Sequence, residues 1–310
     1  MGKQINDTLV IGTIIVPKQE CFCFRKKSKQ GVILMSRKRL TQVFPFLLPL
    51  RKWQRKKLFY LKMQLDGCRY AKKTSDKFLP NVVFETASPM LNENSGFDMK
   101  YQINKVHNLK LAAKTINKVV IEPNETFSFW KLVRWADRYE KYKDGLNLVN
   151  GKIVGSYGGG LCQLSNMLFW LFLHTPLTVV ERYGHAVESF PSTTEDLPCG
   201  TDATISEGWL DLKIRNDTDN SFQIEINFDD NFMYGRIWSQ CPVNIDYTVF
   251  NSAVSYIKRE EKVYQIASVC RTEKDKITGR KIEKELYVNQ CEIAYELPIE
   301  EKIEERGVQK

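Results

Sequence analysis

The sequence predicts an α+β protein in which a mainly antiparallel sheet packs on a short buried helix. Three observations carry this expectation. Residues 157–166, "YGGGLCQLSN", run three glycines into a cysteine and on into the apolar "MLFWLFL". His107–Lys118 has apolar Leu109, Leu111, Ala112, Ala113 and Ile116 at the spacing of an amphipathic helix. Beyond it, short strand-like runs alternate with turn residues, so helices and antiparallel strands mix.

The elements follow in order. Residues 1–34 read as an extension detached in composition from the rest. Their apolar run "TLVIGTIIV" has neither a strong cationic lead nor a cleavage-like site, so it reads equally as a short strand. Residues 35–73 form a basic arm. Of the 46 Lys and Arg and 37 Asp and Glu in the 310-residue chain, 18 and 3 lie in residues 1–73. That segment therefore carries +15 and the remainder −6. Within Met35–Lys57, "VFPFLLPL" sits between two cationic clusters, with Trp53 nearby. This composition suits an anionic membrane surface. The apolar core is about 8 residues, against roughly 20 needed to span a bilayer. Pro45 and Pro49 weaken it as a helix. The competing reading is an arm packed on the body with its charges in water.

Residues 74–106 read as an irregular lead-in with short strands. The main domain is 107–240. It opens with the amphipathic helix, then "VVIEPNETFSF", a strand, a Pro-Asn turn and a second strand. "GLNLVNGKIVGSY" is a hairpin turning at Asn150-Gly151. A helix follows from Cys162 to about residue 173, apolar on all faces and therefore buried. Pro176 stops it, and His174 suits the negative end of its dipole. Strands are expected in "LTVVERYGHAV", "DATISEG", "WLDLKIRN" and the meander "FQIEINFDDNFMYGRIWS". Residues 241–310 give a hairpin, "VYQIASVCR" with "KIEKELYVN", and a charged, fraying tail.

Eight cysteines and three histidines contain no CxxC and no zinc-like spacing, so neither metal nor cofactor is expected. No nucleic-acid-binding motif accompanies the basic charge, and nucleic acid is not an expected partner. Reduced thiols place the protein in the cytoplasm or peripherally at the membrane. A cell-wall substrate would instead require export.

The chemistry centres on Cys162. A thiol in the first turn of a helix meets unpaired N–H groups and the positive end of the dipole, which favour thiolate. Gly158, Gly159 and Gly160 let a substrate backbone approach, and N–H groups at such a turn can hold an oxyanion. Gln163 and Ser165 are further candidates for the oxyanion or substrate, and Gln163 alternatively caps the helix. His185 is the candidate base, and Asp202 the group that orients it. This order matches the layout of papain-like and transglutaminase-like thiol enzymes. The bland alternative is an inert buried cysteine, glycines that serve packing, a core histidine and a turn aspartate.

The stretches "HNLKLAAKTIN", "ETFSFWKLV", "YKDGLNLVNGKIVGSYGGGLCQLSN", "VVERYGHAVESFP", "GTDATI" and "DLKIRNDTD" together resemble the VanW family, densely from His107 to Ser239. The resemblance implies an accessory of vancomycin resistance. It also implies L,D-transpeptidase-like chemistry, in which a cysteine attacks a peptidoglycan stem peptide, D-alanine leaves and an amine resolves the acyl-enzyme. By motif, Cys162 carries over as nucleophile, and His185 and Asp202 as family-box residues. Many members have Arg before the Asp-Ala-Thr box, where this chain has Thr201. The alternative function is a non-catalytic accessory at the membrane surface that binds a cell-wall precursor or a partner enzyme.

Overall fold

Strand pairing between distant segments organises this protein. The computed structural model describes residues 44–91, 96–149, 152–188, 197–259, 261–297 and 303–305. The extension 1–34, with Cys21 and Cys23, and the Asn150-Gly151 turn lie outside the described residues. The chain divides into two units, Met1–Leu48 and Pro49–Lys310. In the first, Pro45–Leu47 make a 3-10 turn, and Leu47 N–H donates to the Phe44 carbonyl at 3.1 Å.

Helix α1 spans Leu48–Leu65. Proline was expected to weaken this stretch. Pro49 instead lies in the first turn, where a missing N–H removes no helical bond. Tyr60 and Met63 are the buried residues of α1. The Tyr60 hydroxyl donates to Glu207 at 2.7 Å, and the Arg134 guanidinium lies 3.8 Å from its ring centroid. No helix among the described residues is long and apolar enough to cross a membrane.

After β1 (Arg69–Tyr70) comes β2 (Asn81–Pro89), and then α2 (Met99–Ile116), whose N-terminus Asp98 caps by accepting from Lys100 N–H. Residues 74–106 are thus far more regular than expected. β2 alternates weakly in polarity, and its order comes from pairing with a strand 150 residues away. β3 (Val120–Ile121) and β4 (Glu125–Ser128) flank the expected Pro-Asn turn, and α3 (Phe129–Val133) follows. β5 (Asp144–Val149) and β6 (Lys152–Tyr157) form the hairpin, and α4 runs Cys162–Leu173. Then come β7 (Thr178–Glu181), β8 (Val187–Glu188), β9 (Lys213–Arg215), β10 (Phe222–Phe228) and β11 (Phe232–Ser239). Long β12 (Ile245–Arg259), β13 (Lys262–Asp275) and β14 (Lys281–Ile293) precede β15 (Ile303–Glu305). The stretch "DATISEG" forms no strand beyond a bridge from Ser206 to Leu210. The tail expected to fray contributes β15, parallel to β12, and β12 itself is a strand that sequence pattern did not mark.

Among the described residues three sheets result, in the orders β1-β4-β9-β7, β2-β11-β10-β3 and β15-β12-β13-β14-β8, besides the β5–β6 hairpin. In the second sheet the β10–β11 meander pairs Ile224 with Ile237, and Phe222, Ile224, Ile226, Met233 and Ile237 are buried. α4 belongs to the same core through Leu164, Met167, Leu168, Phe169, Leu171, Phe172 and Leu173. Each fully buried side chain of this size stabilises by about 1.5–3 kcal/mol, so α4 is held by packing on every side. Its C-terminal carbonyls are met by Arg271 of β13, which donates to Leu173 and Thr175 at 3.1 Å. His174 does occupy the C-cap, but not as a cation. Burial lowers its pKa to about 4, and the neutral ring stacks on Phe84 at 3.7 Å.

Asp211 ties the first sheet to α3. Its buried carboxylate accepts from the Ser128 hydroxyl (2.6 Å), the Trp130 N–H (3.1 Å) and the Leu212 N–H (2.9 Å). Burial raises its pKa to about 6 against the opposing pull of these donors. Asp211→Ala, which strands buried donors, should cost about 3 kcal/mol or more in urea unfolding. Asp211→Asn keeps one carbonyl acceptor and should cost about 1 kcal/mol.

Candidate active site

α4 delivers Cys162 at its first position, half-buried. Its sulfur lies 3.9 Å from Thr204 Oγ1 and 4.0 Å from the Ile205 carbonyl. Leu161 is the N-cap and supplies no side-chain acceptor. Among the described residues no acceptor meets the N–H groups of Gly160, Leu161 and Cys162. Amides left open at a helix start are the kind of donor that an anion requires.

The glycines act differently from one another. The N–H of Gly158 donates to the Lys143 carbonyl and that of Gly159 to Ser156, each at 3.1 Å, so neither serves an oxyanion. Gly159 packs backbone to backbone against Gly145 of β5, where a methyl on either would overlap the other. Its carbonyl accepts from Asn108 of α2 at 3.0 Å. Asn108 also exchanges hydrogen bonds with the Lys143 backbone, which pins the turn to α2. Gly160 has φ +92°, and the Lys105 stem fills the space a side chain would need. The glycine run therefore builds the turn by close packing, and only Gly160 retains an amide for a ligand.

Gln163 and Ser165 are engaged with neighbouring elements. The Gln163 amide donates to Ser88 Oγ (2.9 Å) and the Pro89 carbonyl (2.7 Å), which commits it to β2 and not to an oxyanion or cap. The buried Ser165 hydroxyl lies between the carbonyls of Cys162 (3.0 Å) and Ala203 (2.6 Å). Asn166 accepts from the Ala203 N–H at 2.8 Å. These polar residues fasten α4 to its neighbours.

His185 and Asp202 do come together with Cys162. His185 was expected within a strand, but it lies in the segment between β7 and β8. The reason is a handover between sheets: β7 belongs to the first, whereas β8 runs parallel to β14 in the third. Asp202 lies on an extended segment, and Thr204 N–H donates to the Tyr183 carbonyl at 2.7 Å. Asp202 Oδ2 accepts from the His185 backbone N–H at 2.6 Å and meets His185 Nδ1 at 2.5 Å. This leaves Nε2 for the thiol.

Sequence reasoning missed Arg182. Its Nε and Nη2 donate to the carbonyls of Asp202 and Gly200 at 2.6 Å each, and Nη2 also reaches Asp202 Oδ1 at 2.8 Å. The guanidinium lies 4.7 Å from the Tyr287 ring centroid and 5.3 Å from that of Phe169. A lone arginine in a strand-like run carries no local signal of this role. Lys105 was also missed. Burial lowers its pKa to about 8, and no ion pair among the described residues opposes this.

Burial works against charge at all three site groups, and each is overruled. At Asp202 the hydrogen bond from His185 and the charge of Arg182 bring the pKa down to about 2. At His185 the bonds to Asp202 and Cys162 raise it to about 10. At Cys162 the hydrogen bond and charge of His185 lower it. Both shifts run in the direction that favours a thiolate–imidazolium pair. Among the described residues no cluster of three or more His, Cys, Asp or Glu is arranged to hold a metal ion.

Two outcomes follow. In a background with the other cysteines replaced, Asp202→Asn should raise the apparent pKa of Cys162 and slow its alkylation at neutral pH by about tenfold or more, equivalent to one pKa unit or more. The stability contributed by Asp202 is present above the ordinary carboxylate range and lost as pH falls towards about 2. That from His185 is complete below its ordinary pKa and lost as pH rises through about 10. Urea titrations across pH should show both limbs in wild type and lose the alkaline limb in His185→Gln.

Comparison with known proteins is consistent with this geometry. A family model described as "VanW like protein" matches residues 104–238, which span Lys105, the thiol, the imidazole and the carboxylate. The vancomycin B-type resistance protein VanW of Enterococcus faecalis is 51% identical over 272 residues, 87% of this chain and 99% of that protein. The uncharacterized protein YoaR of Bacillus subtilis is 34% identical over 154 residues, 50% of this chain and 49% of that protein. No solved structure matches significantly. Near-complete coverage at this identity shows that the chain belongs to the VanW family.

Proposed function

We propose that this protein is an accessory of vancomycin resistance that uses Cys162 as the nucleophile of acyl transfer on cell-wall stem peptides. The resistance role is supported by the 51% identical relative, whose name states it. The acyl-transfer role is supported by one observation: the carboxylate of Asp202 holds His185 through Nδ1, which leaves Nε2 open while His185 lowers the Cys162 pKa.

In this reading the thiolate attacks a stem-peptide carbonyl, forming a C–S bond and a tetrahedral oxyanion. The N–H groups of Gly160, Leu161 and Cys162 face that charge. Collapse breaks the peptide C–N bond, and imidazolium gives its proton to the departing D-alanine amine. Neutral imidazole then takes a proton from the acceptor amine, which attacks the thioester and regenerates the thiolate. Asp202 stays ionised throughout, and Arg182 acts through it as a positioning residue. Lys105, poorly solvated and with its stem on Gly160, supplies the cation for a substrate carboxylate that Thr201 does not. Thr201 spends its hydroxyl on the Pro198 carbonyl at 2.7 Å.

Intact-protein mass spectrometry after incubation with a synthetic stem peptide ending in D-alanine should show an adduct of the peptide less D-alanine. Cys162→Ala should abolish it, and His185→Gln should slow its formation about a hundredfold or more. Lys105→Met should raise KM about tenfold while kcat holds, as expected for a lost charge-assisted bond. A thiol that titrates ordinarily and stays unmodified with every such peptide would leave a binding accessory in place of the enzyme.

A further inference from the structure

α1 is apolar on two opposite sides. Its inner side carries the buried Tyr60 and Met63. Leu50, Leu58, Leu61 and Leu65 are exposed by 62%, 48%, 48% and 76%. At 3.6 residues per turn these four leucines fall within an arc of roughly 80° facing away from Tyr60 and Met63, interrupted by exposed Gln54, which accepts from Arg51 at 3.0 Å. Lys57 borders this stripe on one side, and Arg51, Lys62 and Arg55 border it on the other. α1 has six cations and no Asp or Glu. Among the described residues the carboxylate paired with it is Glu207, which meets Lys56 at 2.7 Å. Trp209, exposed at the same end, lies under Arg55 at 5.2 Å.

We infer that the outer side of α1 docks on an anionic phospholipid surface, with the leucines entering the acyl boundary and the flanking cations on the head groups. The occupant follows from charge. An apolar stripe between cationic rims and without a carboxylate repels basic partners and matches a surface that is negative throughout. Six cations also keep the helix at the interface, because burying them in hydrocarbon is costly. The location bears on the active site. Residues 204–210 run from the thiol, touched by Thr204 and Ile205, to α1, touched by Glu207 and Trp209. A docked α1 would hold Cys162 near the bilayer. The inference does not depend on the acyl-transfer reading.

The test is co-sedimentation of the full chain with phosphatidylcholine vesicles, with and without phosphatidylglycerol. Binding is expected only with phosphatidylglycerol, weakening steeply as salt is raised. L58E/L61E should weaken it at least tenfold, and K57Q/K62Q by roughly fivefold per charge. Unchanged circular dichroism and Cys162 alkylation would show that both variants fold, and L50Q/L65Q provides a milder pair at the ends of the stripe. Equal binding to neutral vesicles, no binding to either, or indifference to all three variants would overturn the inference. So would a dimer lost in L58E/L61E without vesicle binding, which would assign this face to a second copy of the chain.

Discussion

The carboxylate of Asp202 is the point on which the site depends. It is gripped from one side by Arg182 and from the other by the backbone and ring of His185. Arg182 is itself placed by the carbonyls of Gly200 and Asp202, by Asn289 of β14 and by two aromatic rings. One ring belongs to α4 and the other to β14. A single guanidinium therefore joins the thiol-bearing helix, the histidine segment and the third sheet. A planar fork of donors with a stacking face can do this, whereas a lysine cannot.

α4 works as a rigid post, and most polar residues near its start serve that purpose. Gln163 reaches β2, Ser165 and Asn166 reach Ala203, and Arg271 takes up the far end. This leaves few groups for a ligand among the described residues here: the thiol, the imidazole, the Lys105 ammonium and backbone N–H groups at the turn. The economy is physical. A thiol presented from the start of a buried helix needs its anchors within one turn of itself, so neighbouring polar side chains are consumed as anchors.

α1 poses the opposite problem, because its outer side remains apolar after folding. The inner side is satisfied by Tyr60, which bonds Glu207 and underlies Arg134. Stability alone does not explain four outward leucines rimmed by cations, since exposed leucine adds nothing to the core. Their arrangement is legible only once the inner side is known.

Local patterns reported the elements well. The helix from Cys162 to Leu173, the β5–β6 hairpin, the β10–β11 meander and the β13–β14 hairpin all rest on periodicity and turn residues within a few positions. Cys162, His185 and Asp202 were legible as a candidate group because residue type and chain order constrain them. Arg182 and Asn108 were not, because their partners lie far off in sequence and leave no mark beside them. Neither were β2 and β12, whose order comes from cross-strand pairing. The sequence by itself thus determined the α+β class and the buried helix, and it marked Cys162, His185 and Asp202, which the fold brings together. Only the tertiary structure decided which glycine amide stays available, that Gln163 and Ser165 are anchors, and which way each side of α1 faces. Those depend on non-local contacts, which one-dimensional periodicity does not encode.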